Sequence, residues 1–317
     1  MKKLKVFLTV VICLSVSLCF PAFADKVIIA DAPFFDVQAQ GTSNIKTEVS
    51  AVNTGTGSAE AASAEKPDVA SEAAVLYDAT ANQLLFEKNG YKSMYPASTT
   101  KIMTALLAAE KLSLSTEFTF TKTAAEGLES GYTNVKMVTG DTMTVEDALY
   151  ALMLKSACEA ANGLAEAVSG DQASFAALMN SRAKELGCTN TSFKNASGLN
   201  DSSHLTSAYD MALITKAAFE NETVRKVCSA KSWKLPASKK RGELTVTNSN
   251  KMLFKENSQY FEGIIGGKTG YTSKAGNTLC EVASVKGHTL IAVVMKSNGK
   301  QYDDALSLLN YGRKVLP

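Results

Sequence analysis

The chain has little of what most metal, nucleotide and nucleic-acid sites need. Only two histidines, one tryptophan and six prolines stand among 317 residues. No Cys-x-x-Cys pair occurs, so the ligand spacing of a zinc site is missing and no metal is expected. A strong charge of one sign is missing too. The formal net charge is +2, and it falls close to zero without Lys2, Lys3 and Lys5, which leaves no electrostatic case for nucleic-acid binding. No glycine-rich phosphate loop and no repeat of about 20–50 residues is present, so neither a nucleotide cofactor nor a solenoid is expected. What remains is 45% apolar and 20% charged, enough for a substantial globular core.

The N-terminus carries an address. Met1 to Ala24 has a basic start, an uncharged and mostly apolar run from Val6 to Phe20, and small residues at Ala22 and Ala24 flanking Phe23. That pattern fits a secretory signal over residues 1–24, cleaved before Asp25. At about 1.5 Å per residue the run falls short of a roughly 30 Å hydrocarbon core, which argues against a permanent anchor. Cys13 and Cys19 follow Ile12 and Leu18, so neither has the small preceding residue of a lipid-attachment site. Residues 25–70, rich in Ala, Ser, Thr, Gly, Val and Glu, read as a flexible linker, and residues 71–317 as one exported domain. Its cysteines, Cys158, Cys188, Cys228 and Cys280, permit three complete pairings, and spacing does not choose among them.

Ordered elements follow from the pattern beyond that linker. Ala73 to Tyr77 and Gln83 to Glu87, separated by the turn signal Asp78 to Asn82, predict a hairpin. Helix formers with too much apolar surface for an outer face predict a buried helix from near Ser98 to Leu112. Thr144 with Glu146 and Asp147 opens another helix, Asp171 to Gly187 bounds a third, and Ser207 to Phe219 forms a fourth. Extended signals then dominate at Leu244 to Thr247, Gly266 to Gly270, Thr278 to Val285 and His288 to Met295, before a last helix from Tyr302 to Tyr311. Strands at both ends with helices between them predict an α/β fold of two lobes, with an antiparallel sheet built from the early hairpin and the late strands.

Two short patterns carry chemistry. Ser98-Thr99-Thr100-Lys101 on a helix puts a hydroxyl and an amine one turn apart on one face, and an amine whose pKa burial lowers would take the serine proton. The spacing alone is weak, since it recurs at Ser43/Lys46, Ser63/Lys66, Ser181/Lys184 and Ser297/Lys300; Ser98 differs in opening the most apolar helix. Read blandly, Ser98 would be an N-cap. Lys268-Thr269-Gly270, the one Lys-Thr-Gly in the chain, lies in a glycine-rich strand along which a peptide could be held by main-chain hydrogen bonds.

Together these patterns resemble the penicillin-recognising serine acyltransferases. The likeness narrows to the D-alanyl-D-alanine carboxypeptidases through Thr144 to Glu166, Asn190 to Asn195, Gly198-Leu199 with Thr206 to Ile214, and Lys268 to Thr272 with Ala275-Gly276. The resemblance implies the two-lobed penicillin-binding-protein/β-lactamase-like fold and a peptidoglycan stem peptide ending in D-Ala-D-Ala as substrate, with β-lactams as covalent inhibitors. By motif position, Ser98 is the nucleophile, Lys101 its base and Ser156 a proton relay. Lys268 and Thr269 hold the terminal carboxylate, with Lys268 also discouraging a proton on Lys101. Backbone N–H groups of Ser98 and Tyr271, next to Gly270, meet the oxyanion. One departure stands out: the family's Ser-x-Asn reads Ser156-Ala157-Cys158, and a thiol is a weak substitute for an amide. Asn162, one turn on, is a candidate replacement. The chain stops at Pro317 without the amphipathic tail common in the family, so no stable membrane anchor is expected.

Two rivals remain. A β-lactamase shares both motifs, but the Glu-x-x-Leu-Asn pentad is absent, and the only Tyr-x-Asn beside them is Tyr132-Thr133-Asn134. A non-catalytic stem-peptide-binding module is the other, with Cys158 marking a decayed site. His204 and His288 read as structural, without an acid partner for a Ser-His-Asp triad.

Overall fold

A computed structural model describes residues 64–126, 128 and 132–317. The leader over 1–24 and nearly all of the linker over 25–70 lie outside the described residues. Strands β1 (Ala73–Asp78) and β2 (Gln83–Lys88) form the expected hairpin. A single 3-10 turn, Ala97–Thr100, leads into α1 (Lys101–Lys111), followed by β3 (Glu117–Thr119), α2 (Lys122–Glu126) and β4 (Thr142–Thr144). The helices α3 (Val145–Leu154), α4 (Cys158–Ser169), α5 (Gln172–Glu185), α6 (Ala208–Glu220) and α7 (Glu222–Ser229) come next. A small hairpin, β5 (Ser232–Leu235) and β6 (Leu244–Thr247), precedes β7 (Ile264–Thr272), β8 (Gly276–Val285), β9 (His288–Met295) and α8 (Gln301–Val315).

The main sheet is antiparallel in the order β2-β1-β9-β8-β7, which joins the first strands of the domain to the last. Helices cover both faces, so β1 and β9 read as continuous apolar runs rather than alternating ones. Val75, Ile291 and Val293 pack toward Leu106 of α1, Leu149 of α3 and Ile214 of α6. Their neighbours Leu76, Leu290 and Val294 face Ala305, Leu308 and Leu309 of α8. Losing one such leucine to alanine costs about 2–5 kcal/mol. The chain is already docked before β1, because Asp304 of α8 accepts the backbone N–H groups of Ala70 and Ser71 at 3.0 and 2.8 Å.

Helix starts follow the caps the sequence advertises. Thr144, Asp171 and Ser207 each accept the backbone N–H three residues on, at 3.1, 2.8 and 3.1 Å, contacts typically worth about 1 kcal/mol each. The single tryptophan ties the small hairpin to the helices: Trp233 stacks on Tyr150 at 3.8 Å and its indole N–H donates to Asp147 at 2.8 Å. No disulfide joins Cys158, Cys188, Cys228 and Cys280. Among the described residues no helix is long and apolar enough to cross a membrane.

Candidate active site

The nucleophile candidate sits on a constrained turn. Pro96 supplies a helical φ of −77° at its entry, and Ala97 takes a φ of 51°, a left-handed conformation that costs a non-glycine residue about 1–2 kcal/mol. Surrounding groups hold it there. The Pro96 carbonyl accepts from the Thr99 hydroxyl at 2.7 Å and the Thr278 hydroxyl of β8 at 3.0 Å. Gly198 crosses so close that a Cβ would lie 1.8 Å from the Ala97 carbonyl oxygen. Beneath the turn, His204 accepts the Lys194 N–H on Nδ1 at 3.0 Å, which leaves Nε2–H to donate to Thr100 at 2.9 Å. Burial pushes the His204 pKa down to about 4, in keeping with a neutral, structural ring.

Ser98 is therefore not a helix cap: its Oγ lies 3.1 Å from Lys101 Nζ, and the α-helix proper begins at Lys101. Lys101 is fully buried, and burial lowers its pKa against the opposing pull of Cys158 and Glu159. Its three polar neighbours are the Ser98 hydroxyl, the Ser197 carbonyl at 2.5 Å and Cys158 Sγ at 3.5 Å. A neutral amine has two N–H donors and one lone pair. The carbonyl can only accept and the sulfur accepts weakly, so in the neutral form the two N–H groups would go there and the lone pair would turn to Ser98.

Cys158 thus does a definite job at the position of the departure, as an acceptor for Lys101 at the start of α4. Asn162 does not replace it, since its amide donates to Ala124 at 3.5 Å, away from the cleft. Ser156 lines the cleft in a left-handed conformation, φ 62°, on the bend between α3 and α4. Next along, the buried Glu159 accepts the Val135 N–H at 2.5 Å, while Arg241 Nε donates to the Val135 carbonyl at 2.7 Å. Burial raises the Glu159 pKa. This clamp fixes the stretch containing Tyr132 and Thr133, whose carbonyl at Thr133 accepts the Cys158 N–H at 2.9 Å.

Strand β7 forms the facing wall. Gly270 lies against the nucleophile turn, where a Cβ would stand 2.9 Å from Ser98 N and 2.3 Å from Thr278 Oγ1. Thr269, Gly270 and Tyr271 line a cleft of about 540 Å³ together with Ser98, Ser156 and Cys158. Lys268 differs from expectation: its side chain is 1% exposed, and its Nζ donates to the Thr269 carbonyl at 2.8 Å rather than facing the cleft. Strand alternation turns it inward. Burial first, and repulsion from Lys101 second, push its pKa down to about 7. For Lys101 itself burial, not Lys268, is the leading cause of the lowered pKa.

A family model described as D-alanyl-D-alanine carboxypeptidase matches residues 60–299. The chain belongs to the D-alanyl-D-alanine carboxypeptidase family. It is 32% identical over 229 residues to DacF of Bacillus subtilis, spanning 71% of this chain but 56% of that relative. A D-alanyl-D-alanine carboxypeptidase of Streptomyces is 31% identical over 271 residues, 81% of this chain and 91% of that one. The crystal structure of a Streptomyces DD-transpeptidase superimposes with a TM-score of 0.72 at 29% identity, covering 78% of this chain and 98% of that one. That transpeptidase has also been solved with a serine replaced by alanine, and with a cysteine two positions further on replaced by alanine or asparagine.

In this family member several cleft residues escaped the sequence reading. Thr278 and Asn277, paired with Gly270 and Tyr271 across β7 and β8, line the cleft, as do Ser249, Lys251, Gln301 and Tyr302. The polar run Asn248-Ser249-Asn250 just after β6 was the available signal. Ser249 Oγ lies 3.2 Å from Thr269 Oγ1, and Asn250 is anchored by the buried Glu281 at 3.0 Å. His288 has an acid partner after all, Asp78 at 2.7 Å; it closes the β1–β9 end of the sheet, and neither residue lines the cleft. Among the described residues no cluster of His, Cys, Asp and Glu could hold a metal ion.

Proposed function

We propose that this protein is a serine-type DD-carboxypeptidase that removes the terminal D-Ala from peptidoglycan stem peptides through an acyl-enzyme on Ser98. The observation that carries the reading is the 3.1 Å contact between Ser98 Oγ and the buried Lys101 amine at the edge of an open cleft. Neutral Lys101 takes the hydroxyl proton as Oγ bonds to the carbonyl carbon between the two D-Ala residues. The oxyanion meets the N–H groups of Ser98 and Tyr271, a preorganised pair in which each donor contributes roughly 10²–10³-fold. Lys268, partly charged near neutral pH, discourages a lasting second charge on Lys101. Ser156 passes the proton to the leaving nitrogen, the C–N bond breaks and D-Ala departs. Water then attacks the ester with Lys101 again as base, which frees the shortened peptide and restores Ser98.

Stem peptides lie outside the cytoplasm, in keeping with an export signal over residues 1–24, and β-lactams would acylate the same hydroxyl. Against a decayed binding module, the Streptomyces transpeptidase carries a serine and a cysteine at the spacing of Ser156 and Cys158. The same likeness favours transfer to an amine as a second fate of the acyl-enzyme.

The test is release of free D-Ala from a stem pentapeptide, followed by mass spectrometry of the peptide product. We expect one D-Ala lost per peptide, and no release from Ser98→Ala. Peptide that binds without losing D-Ala, or release that persists in Ser98→Ala, overturns the proposal.

A further inference from the structure

Recognition of a peptide's C-terminus needs a positive group where the carboxylate falls. Among the described residues no Asp or Glu lines the cleft, and the lysines that do are Lys155 and Lys251. Lys268, the cation expected to fill this role, is buried, lies off the cleft wall and gives its amine to the Thr269 carbonyl. The charge must therefore come from elsewhere.

Geometry separates the two candidates. When the carbonyl of the penultimate residue sits at Ser98, the terminal carboxylate lies about 3.5 Å further along, one residue length. With the oxyanion at the Tyr271 N–H, as the DD-carboxypeptidase reading has it, that falls toward Thr269 on β7. Ser249 Oγ adjoins Thr269 Oγ1 at 3.2 Å, and Lys251 follows two residues later. Lys155, by contrast, ends α3 beside Ser156 and belongs to the wall with Cys158.

Lys251 is also preorganised. It begins a one-turn 3-10 helix, Lys251–Leu253, capped by the Asn250 side chain, which accepts the Met252 N–H at 3.0 Å. Asn250 is in turn held by Glu281. Tyr302 OH donates to the Ser249 carbonyl at 3.1 Å and accepts the Lys251 N–H at 3.4 Å, and the Lys251 ammonium lies over the Tyr302 ring, 5.8 Å from its centroid. No carboxylate pairs with this ammonium among the described residues.

We propose that Lys251 is a specificity-determining residue that binds the free C-terminal carboxylate of the substrate, with Thr269 and Ser249 as its hydrogen-bonding neighbours. The assignment rests on the DD-carboxypeptidase reading.

The test compares an acylated tripeptide ending in D-Ala-D-Ala with its C-terminal amide, on the parent chain and on Lys251→Gln, Lys251→Arg and Lys155→Gln. The parent is expected to prefer the acid. In Lys251→Gln the acid-over-amide ratio of kcat/KM falls roughly tenfold, the scale of one charge-assisted hydrogen bond, mainly through KM. Lys251→Arg restores most of it, and salt near 0.5 M erodes the parent's preference. Retention of the parent ratio in Lys251→Gln, or its loss in Lys155→Gln instead, overturns the assignment alone. A parent chain that cleaves neither peptide overturns it together with the carboxypeptidase reading.

Discussion

Replacing Gly270 with alanine tests how the oxyanion site is built. The added Cβ would stand 2.9 Å from Ser98 N, 3.2 Å from Ala97 Cβ and 2.3 Å from Thr278 Oγ1. Ordinary contact at about 3.4 Å or more requires β7 to retreat from the nucleophile turn by roughly half an ångström, or Thr278 to swing off the Pro96 carbonyl. A hydrogen bond to the oxyanion spans about 2.7–3.1 Å, so a shift of that size removes most of one donor's effect. We therefore expect kcat for D-Ala release to fall about 10²-fold with KM little changed. The steric strain should cost about 1–3 kcal/mol of stability, a drop of several degrees in Tm for a domain of this size. Steady-state kinetics beside a thermal melt separates the two effects. A folded Gly270→Ala enzyme with kcat within twofold of the parent would refute this account of the oxyanion site.

Further expectations concern the groups around the turn. His204 is held at about 4 when folded, against 6.5 for an unperturbed ring. Its contribution is therefore complete above pH 6.5 and lost as pH falls toward 4, by up to about 3 kcal/mol. Urea unfolding at pH 7 and pH 4 should show the parent losing more stability than His204→Gln, and equal losses would contradict the assignment. Acylation by penicillin should slow as pH falls and Lys101 gains a proton. Lys101→Arg, which stays charged, should abolish acylation at every pH; a stopped-flow trace with normal acylation would remove Lys101 as base. Glu159→Ala leaves the Val135 N–H without its partner and should cost about 1–3 kcal/mol. Hydrogen exchange at Val135 should accelerate, and unchanged protection would show that the clamp does not bear on this stretch.

Local chemistry made much of the fold legible. Thr144, Asp171 and Ser207 are capping residues followed by stretches of helix formers, and each starts a helix. Asp78 to Asn82 is a turn between two β-rich runs, and the hairpin is there. Less legible were α4 and α7, because Cys158 to Ser169 had been read only as a motif and Glu222 to Ser229 is a short polar segment. At the site, order along the chain indicated Ser98, Lys101 and Thr269 as neighbours, but it carries no information on which way a strand residue turns. Lys268 was thus expected on the cleft wall and lies under it. Lys251 and Ser249 went unnoticed because their relation to Thr269 runs through Asn250, Glu281 and Tyr302, partners as far as 53 residues apart in sequence.

The most direct test of Ser98 as a nucleophile activated by Lys101 is intact-mass analysis after incubation with benzylpenicillin, with the modified peptide sequenced. The predicted result is one drug molecule per chain, attached to Ser98, and none on Ser98→Ala. A native chain that stays unmodified, or an adduct that survives in Ser98→Ala, would contradict the claim.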